Sequence, residues 1–246
     1  MTRPLYLKHL LPDDFRLALE RDARLLVPVG TCEAHGMHLP LGCDTLIVER
    51  LADDLSIEFQ ILRAPTIEYG VNSVYERQYV GNAAVRRKTL HRWMNDLLAS
   101  WERAGVDTFI ILTAHGYDPH QEALSTLRTR AARVLTVDIF ALDFAGELAA
   151  PEDPAEGNEL DTSLLLYVAP ELVDMKLARR RAAAATHGAG PEGAGASPEG
   201  APEIGERGAG AAGELFDPAL ATAEKGARLY KMIYDRIATR VLESAA

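Results

Sequence analysis

The strongest constraint on the fold is an alternation between short apolar runs and longer segments with helical periodicity. The clearest run is VDTFIILT at 106–113, which is rich in the β-branched and aromatic residues that favour strands. A second apolar run, LLVPVG, covers 25–30 and ends in glycine. Strands that alternate with helices are typical of a mostly parallel sheet with helices on both faces. The sequence therefore predicts an α/β fold, in which ligands bind at the carboxyl ends of the strands.

Other segments continue this alternation. Further strands are predicted at 61–67 and 134–140, and helices at 12–22, 45–59, 87–104, 118–134, 158–169 and 218–243. From about 182 to 213 the composition changes to alanine, glycine, proline and glutamate. Such a segment offers few apolar side chains for packing, so we expect a flexible loop there.

Composition argues against several classes of function. The net charge of −10 argues against a nucleic-acid-binding protein, which usually presents a basic face, and against docking on anionic lipid. Two cysteines among 246 residues are too few for a disulfide framework and fit a reducing cytosol. No stretch resembles a secretory signal or a membrane span. We therefore expect a cytoplasmic protein with a small-molecule substrate and no nucleic-acid or membrane partner.

Four ionisable side chains follow the two apolar runs. Glu33, His35 and Asp44 lie in the segment EAHGMHLPLGCD after the second run, and His115 follows the first. Because parallel strands end at the same edge of a sheet, these side chains can meet in space. Imidazole and carboxylate together bind Zn, Mn or Fe, with oxygen-rich sites favouring Mn or Fe. A metal-bound water is acidic enough to act as a nucleophile near neutral pH, which indicates metal-assisted hydrolysis.

Two of the acids also have structural interpretations. Asp44 precedes a predicted helix and is a candidate N-cap. Asp118 is a stronger one, because Pro119 then occupies the first helical position and Gln121 completes a capping box.

The remaining histidines and the cysteines have simpler interpretations. His38 and His120, taken singly, are typical of surface or hydrogen-bonded histidines. Cys32 and Cys43 flank the acids, and cysteines at such positions are usually small buried thiols.

Four segments resemble motifs of the creatininase (creatinine amidohydrolase) family. The family motif P-V-G-S-x-E-Q-H-G-P-H-L-P-L-x-T-D is similar to VPVGTCEAHGMHLPLGCD in this chain. FIILTAHGYD resembles a strand followed by N-G-H-G-G-N, and GNELDTSLLLYVAPELVDM resembles H-A-G-x-x-E-T-S and the helix after it. FDPALATAEKGARLY is similar to the C-terminal motif G-D-P-x-x-A-T-x-E-K-G. The resemblance covers almost the whole chain except the predicted loop.

This resemblance implies one domain over 1–246, an α/β/α sandwich with a mostly parallel sheet. It also implies a metal centre of one or two divalent ions (Zn, Mn or Fe) and a homo-oligomer, usually a hexamer. Family members hydrolyse cyclic amides or formamides. The resemblance implies that Glu33, His35, Asp44 and His115 are metal ligands, with Asp44 as the bridge between two ions. Asp161 falls on the glutamate of E-T-S, an acid at the metal centre.

The chain departs from the family pattern at several positions, including Thr113 and Ala114 before His115. Tyr117 stands where creatininase has a metal-binding glutamate, so a fifth ligand must come from Asp161 or Asp118. We assign it to Asp161, although an acid there also suits the first turn of a helix. Glu156 aligns with the family's catalytic histidine and is either a general acid or base or a solvated loop residue.

We expect a metal-dependent hydrolase in which metal-bound hydroxide attacks the carbonyl of a cyclic amide, formamide or similar C–N bond. Glu156 or Asp161 is then the catalytic residue that handles the proton. Two alternatives remain open. One is a hydrolase of a lactone or of a cyclic ketone of sugar or inositol type, and the other is a catalytically weakened metal-binding scaffold protein.

Overall fold

The computed structural model describes residues 3–73, 80–149, 157–186 and 218–239. The β-strands in these ranges are β1 (Leu5–Tyr6), β2 (Arg24–Val29), β3 (Leu62–Arg63), β4 (Thr108–Thr113) and β5 (Arg133–Asp138). The α-helices are α1 (Pro12–Arg21), α2 (Cys43–Phe59), α3 (Arg87–Arg103), α4 (Asp118–Ser125), α5 (Glu159–Val168), α6 (Met175–Thr186) and α7 (Ala223–Ile237).

The five strands form one parallel sheet in the order β1-β3-β2-β4-β5. β2 and β4 are neighbours at its centre, and they pair in register from Arg24 with Thr108 to Val29 with Thr113. Both strands therefore end at the same edge of the sheet. The segments that follow them, which carry the predicted metal ligands, start side by side.

Helices cover both faces of this sheet. α2, α5 and α7 pack on one face around a core that includes Ile110 and Leu112 of β4. α1, α3 and α4 pack on the other face, where Phe109 and Ile111 of the same strand are buried. A strand whose alternate residues enter two cores is buried on both sides, as expected in a parallel sheet. The predicted three-layer α/β/α sandwich is confirmed.

The predicted helix over 118–134 is shorter in the structure, where α4 ends at Ser125. The reason lies in a different part of the chain. The carboxylate of Glu102 in α3 accepts hydrogen bonds from the backbone N–H groups of Arg130, Ala131 and Ala132. These amides are therefore bound to a side chain instead of continuing a helix, and the chain turns into β5.

The C-terminal helix starts later than predicted. Residues Pro218–Leu220 form a 3₁₀ turn, and α7 begins at Ala223 after the N-cap Thr222, whose hydroxyl accepts from the N–H of Lys225. The predicted loop at about 182–213 overlaps α6 up to Thr186 and otherwise lies outside the described residues. Its flexibility and the single domain stay predictions. Within the described ranges, no helix is both long enough and apolar enough to span a membrane.

Candidate metal centre

The four predicted ligands from the two strand ends lie together and are buried. Nδ1 of His115 lies 2.7 Å from Oε1 of Glu33 and 3.3 Å from Oδ2 of Asp44. Nε2 of His35 lies 3.1 Å from Oδ1 of Asp44. All four residues are at most 2% exposed. The two oxygens of Asp44 thus face different imidazoles, which is the arrangement a bridging carboxylate needs.

Asp44 does not cap the helix on which it lies. α2 begins at Cys43, its N-cap position is Gly42 without a side-chain hydrogen bond, and Asp44 lies in the first turn. The interpretation of Asp44 as a cap was therefore wrong. A close approach of α2 to the end of β2 directs its carboxylate towards the imidazoles. A Cβ at Gly30 would lie 2.2 Å from Oγ1 of Thr45, so glycine is required where these segments meet.

Hydrogen bonds fix which ring nitrogen of each imidazole faces the carboxylates. Nδ1 of His35 lies 3.3 Å from the carbonyl oxygen of Glu33, and Nε2 of His115 lies 3.1 Å from the carbonyl oxygen of Val71. A carbonyl oxygen can only accept, so both of these nitrogens carry hydrogen. In a neutral ring the other nitrogen then directs a lone pair at a carboxylate. Such a contact is repulsive unless a proton or a metal ion lies between the two acceptors.

The pKa shifts in the cluster also indicate that its carboxylates favour a nearby positive charge. Burial alone lowers the pKa of His115, but the carboxylates of Asp44 and Glu33 outweigh it and raise the pKa well above its usual value. Burial alone raises the pKa of Asp44, but His35 and His115 hold it well below its usual value. Oε2 of Glu33 is buried and has no hydrogen-bond partner within the described residues. A divalent cation fits this donor set, because it supplies the charge and binds that oxygen.

Two groups of donor atoms in the described chain are close enough to hold an ion. One contains Glu33, Asp44 and His115, and the other contains His35, Cys43 and Asp44. Within each group the donor atoms lie within 4.8 Å of one another, and Asp44 belongs to both. The sequence predicted four of these five residues. Cys43 was interpreted as a buried thiol, although its position beside Asp44 was a visible signal.

Sequence reasoning missed a network that holds His115 in place. The N–H of Val71 donates to Nδ1 of His120 (3.2 Å), so Nε2 of His120 carries hydrogen and donates to Oγ1 of Thr113 (3.1 Å). The same threonine oxygen accepts from the N–H of His115 (3.3 Å). Burial, with the charge of His115, lowers the pKa of His120 to about 3, so this ring stays neutral. His120 is therefore a hydrogen-bonded histidine, as one of its interpretations had it, and it packs edge-on against His115.

Two further side chains support the same residues. The hydroxyl of Thr31 lies 3.1 Å from Oε1 of Glu33 and 2.9 Å from Oδ2 of Asp44. The side-chain amide of Gln121 donates to the carbonyl oxygen of His115 (2.5 Å). The N-cap position of α4 is Tyr117 without a side-chain bond, so the predicted capping box with Asp118 was wrong. No sequence signal identified Thr31, because a lone threonine after a strand is common.

Asp161 approaches the centre from the first turn of α5. It is buried, and its Oδ2 accepts from the N–H of Gly157 (2.8 Å). Burial and the charge of Asp44 raise its pKa to about 6, and His35 opposes this shift. Asp161 is thus close enough to respond to both residues, although in the described chain it belongs to neither group of donor atoms. A Cβ at Gly157 would lie 2.3 Å from the carbonyl oxygen of His35, so glycine lets the α5 turn pack against that segment.

His38 is a hydrogen-bonded histidine, which is one of its two interpretations from the sequence. Its Nε2 is 2.8 Å from Oγ1 of Thr162, the residue after Asp161, and both side chains are buried. This contact links the ligand segment to α5. Tyr117 stacks at an angle near His115, with ring centroids 6.2 Å apart. Glu156 lies outside the described residues, and its predicted catalytic role stays a prediction.

Comparison with known proteins places this geometry in a family. The sequence model of the creatininase family, described as creatinine amidohydrolase, matches residues 9–241. The chain belongs to the creatininase family. As a member it is a hydrolase, and the predicted resemblance is confirmed.

Curated relatives of this creatininase-family chain carry different activities in their names. A mycofactocin precursor peptide peptidase from Mycolicibacterium smegmatis is 28% identical over 231 residues, 88% of this chain and 83% of that protein. Creatinine amidohydrolase from Pseudomonas putida is 25% identical over 63% of this chain and 67% of that protein. A 3-dehydro-scyllo-inosose hydrolase from Thermotoga maritima is 26% identical, but the match spans 48% of this chain and 39% of that protein.

Solved creatininase structures share the fold. Crystalline creatininase superposes with a TM-score of 0.73 at 19% identity, covering 98% of both chains. Similar structures include a mutant creatininase described as the Zn-Zn type and a creatininase described as Mn. These likenesses support the sandwich architecture of this creatininase-family hydrolase.

Proposed function

We propose that this protein is a metal-dependent hydrolase that cleaves a C–N bond beside a carbonyl group in a small molecule or short peptide. The observation that carries the proposal is the shared carboxylate: Asp44 faces His115 and Glu33 with one oxygen and His35 with the other. Two relatives support the C–N bond, since the names creatinine amidohydrolase and precursor peptide peptidase both describe cleavage of amide-type bonds. The inosose hydrolase matches over a smaller share of its length.

In this proposal the ligands are divided between two metal ions. Glu33 and His115 would hold one ion together with Asp44, and His35 would hold a second with the same carboxylate, with Asp161 as the fifth ligand. Zn, Mn or Fe suits these donors. A bound divalent ion lowers the pKa of water to near neutrality and polarises a carbonyl oxygen.

The residues around the donors prepare the site for that chemistry. Thr31, Val71 and His120 hold the Glu33 and His115 side chains in one orientation. Their burial excludes bulk water, so a developing negative charge would meet little screening. The leaving nitrogen requires a proton. As a ligand Asp161 would be ionised, so in this arrangement Glu156 would transfer that proton. A protonated Asp161 that is not a ligand is the other source.

The test compares metal-stripped protein with protein reloaded with Zn or Mn. The substrates are creatinine, a formamide, a panel of short peptides, a lactone and a cyclic inosose. We expect hydrolysis of an amide-type substrate that disappears on stripping and returns with metal. Glu33→Ala is expected to abolish this activity, while the exposed control Glu68→Ala is expected to retain it. Metal-restored cleavage of the lactone or inosose alone would contradict the C–N assignment. Tight metal binding without any hydrolysis would favour a scaffold protein.

A further inference from the structure

We propose that Cys43 supplies a sulfur ligand to the second metal ion, together with His35 and Asp44. The inference rests on the proposed metal-dependent function and assigns one more residue to it. With this ligand the two sides of the centre differ in chemistry. The Glu33 and His115 side has only oxygen and nitrogen donors, whereas the His35 side has sulfur in addition.

The first support is position. Sγ of Cys43 lies within 4.8 Å of a ring nitrogen of His35 and of a carboxylate oxygen of Asp44. All three side chains are buried, and Cys43 is fully inaccessible to solvent. Nε2 of His35 would be the ligand nitrogen, because Nδ1 donates to the carbonyl of Glu33 and Nε2 lies 3.1 Å from Asp44. A cation bound between these two acceptors therefore has the thiol within reach.

The second support is charge. A second ion beside His35 needs anionic donors besides the shared Asp44. Asp161, the proposed fifth ligand, belongs to neither group of donor atoms among the described residues, whereas Cys43 shares a group with His35 and Asp44. Cys43 is the first residue of α2 and precedes Asp44 directly, so both donors project from the start of the same helix. Metal binding displaces the thiol proton to solvent and leaves a thiolate–metal bond.

The third support is the difference between the chain's two cysteines. Neither forms a disulfide. Sγ of Cys32 lies 3.6 Å from the carbonyl oxygen of Gly81 and is outside both groups of donor atoms in the described chain. Cys43 alone is placed beside imidazole and carboxylate. Since sulfur favours Zn over Mn, this side of the centre is expected to select Zn more strongly than the Glu33 and His115 side.

The experiment loads full-length, metal-stripped protein with Co²⁺ and records its absorption spectrum. Visible d–d bands report bound cobalt of any kind, and a near-ultraviolet sulfur-to-cobalt charge-transfer band reports a thiolate ligand. The key variant is Cys32→Ser, in which Cys43 is the sole remaining cysteine. We expect the charge-transfer band in the wild type and in Cys32→Ser. Cys43→Ser is expected to lose that band, to keep d–d bands, and to bind the second cobalt equivalent at least about tenfold more weakly.

The outcomes separate this inference from the proposed function. Binding of two Co²⁺ ions per chain with d–d bands but no charge-transfer band would show that Cys43 is not a ligand. The metal-dependent function would still be supported. Loss of the band in Cys32→Ser would overturn the assignment in the same way. No bound cobalt in the wild type would overturn the metal-dependent function itself, and the inference with it. Cys43→Ser is not essential to the test, because Cys32→Ser decides the identity of the sulfur even if the other variant does not fold.

Discussion

The two sides of Asp44 are built differently. On one side, His115 and Glu33 are held by Thr31, by the carbonyl of Val71 and by the His120 network. On the other side, Nδ1 of His35 donates to the carbonyl oxygen of Glu33, two residues away. A side chain held by several contacts loses less freedom when it binds an ion. Because several residues contact its ligands, the Glu33 and His115 side is expected to bind the tighter of the two ions.

The largest effect is expected from Asp44→Asn, which removes the charge shared by both sides. Loss of a direct ligand should exceed the roughly 10–100-fold cost of disturbing a supporting residue, so metal affinity should fall by more than about 100-fold. Chelator competition measures this fall, and hydrolytic activity should vanish with it. Asp118→Asn is the matched control, because Asp118 is also in the first turn of a helix but is exposed. If Asp44→Asn still bound two ions, Asp44 would not be the ligand that the two ions share.

His115→Ala and His35→Ala compare how much each side of Asp44 contributes to metal affinity. Each is a direct ligand, so we expect either loss to weaken binding of its own ion by more than about 100-fold. The larger fall is expected for His115, which contacts with Val71 and Thr113 hold in place. Elemental analysis should give about one ion per chain for His35→Ala. Equal effects in the two variants, or the reverse order, would show that the supporting contacts do not govern affinity.

A smaller effect is expected from His120→Ala, which leaves all proposed ligands in place. The N–H of Val71 and the hydroxyl of Thr113 lose their partner, which should destabilise the fold by about 1–3 kcal/mol. Metal affinity on the His115 side should also fall about tenfold. Denaturant unfolding and chelator competition measure the two effects separately. His9→Ala, at an exposed position, is the control, and unchanged metal affinity in His120→Ala would reduce its role to packing.

The smallest effect concerns the pH dependence of the metal-free protein at the His35 side. The pKa of Asp161 is about 6 in the fold and 3.8 in the reference state, so folding favours its protonated form. Ionisation therefore costs stability as the pH rises from 3.8 through 6, and the cost is complete above that range. Asp161→Asn should stabilise the metal-free protein by about 3 kcal/mol at pH 8 and by little at pH 3. Unfolding curves at both pH values check this, with Asp13→Asn as an exposed control.

The sequence by itself determined the alternation of strands and helices, and with it the placement of the ligand segments. β2 and β4 are apolar runs buried on both sides, so their identity depends on nothing outside the runs. Parallel strands must end at one edge, which brings the residues after them together. For that reason the convergence of Glu33, His35, Asp44 and His115 followed from local pattern alone.

Other features were decided only by tertiary structure. Whether Asp44 caps α2 or faces the imidazoles depends on how closely that helix approaches the end of β2 at Gly30. The path of the chain between α4 and β5 depends on Glu102, which binds the backbone of 130–132 from another helix. The position of Cys43 beside His35 likewise arises from packing between segments. A local pattern reports a residue's neighbours along the chain, whereas a buried polar group is oriented by the partners that desolvation forces it to find across the fold.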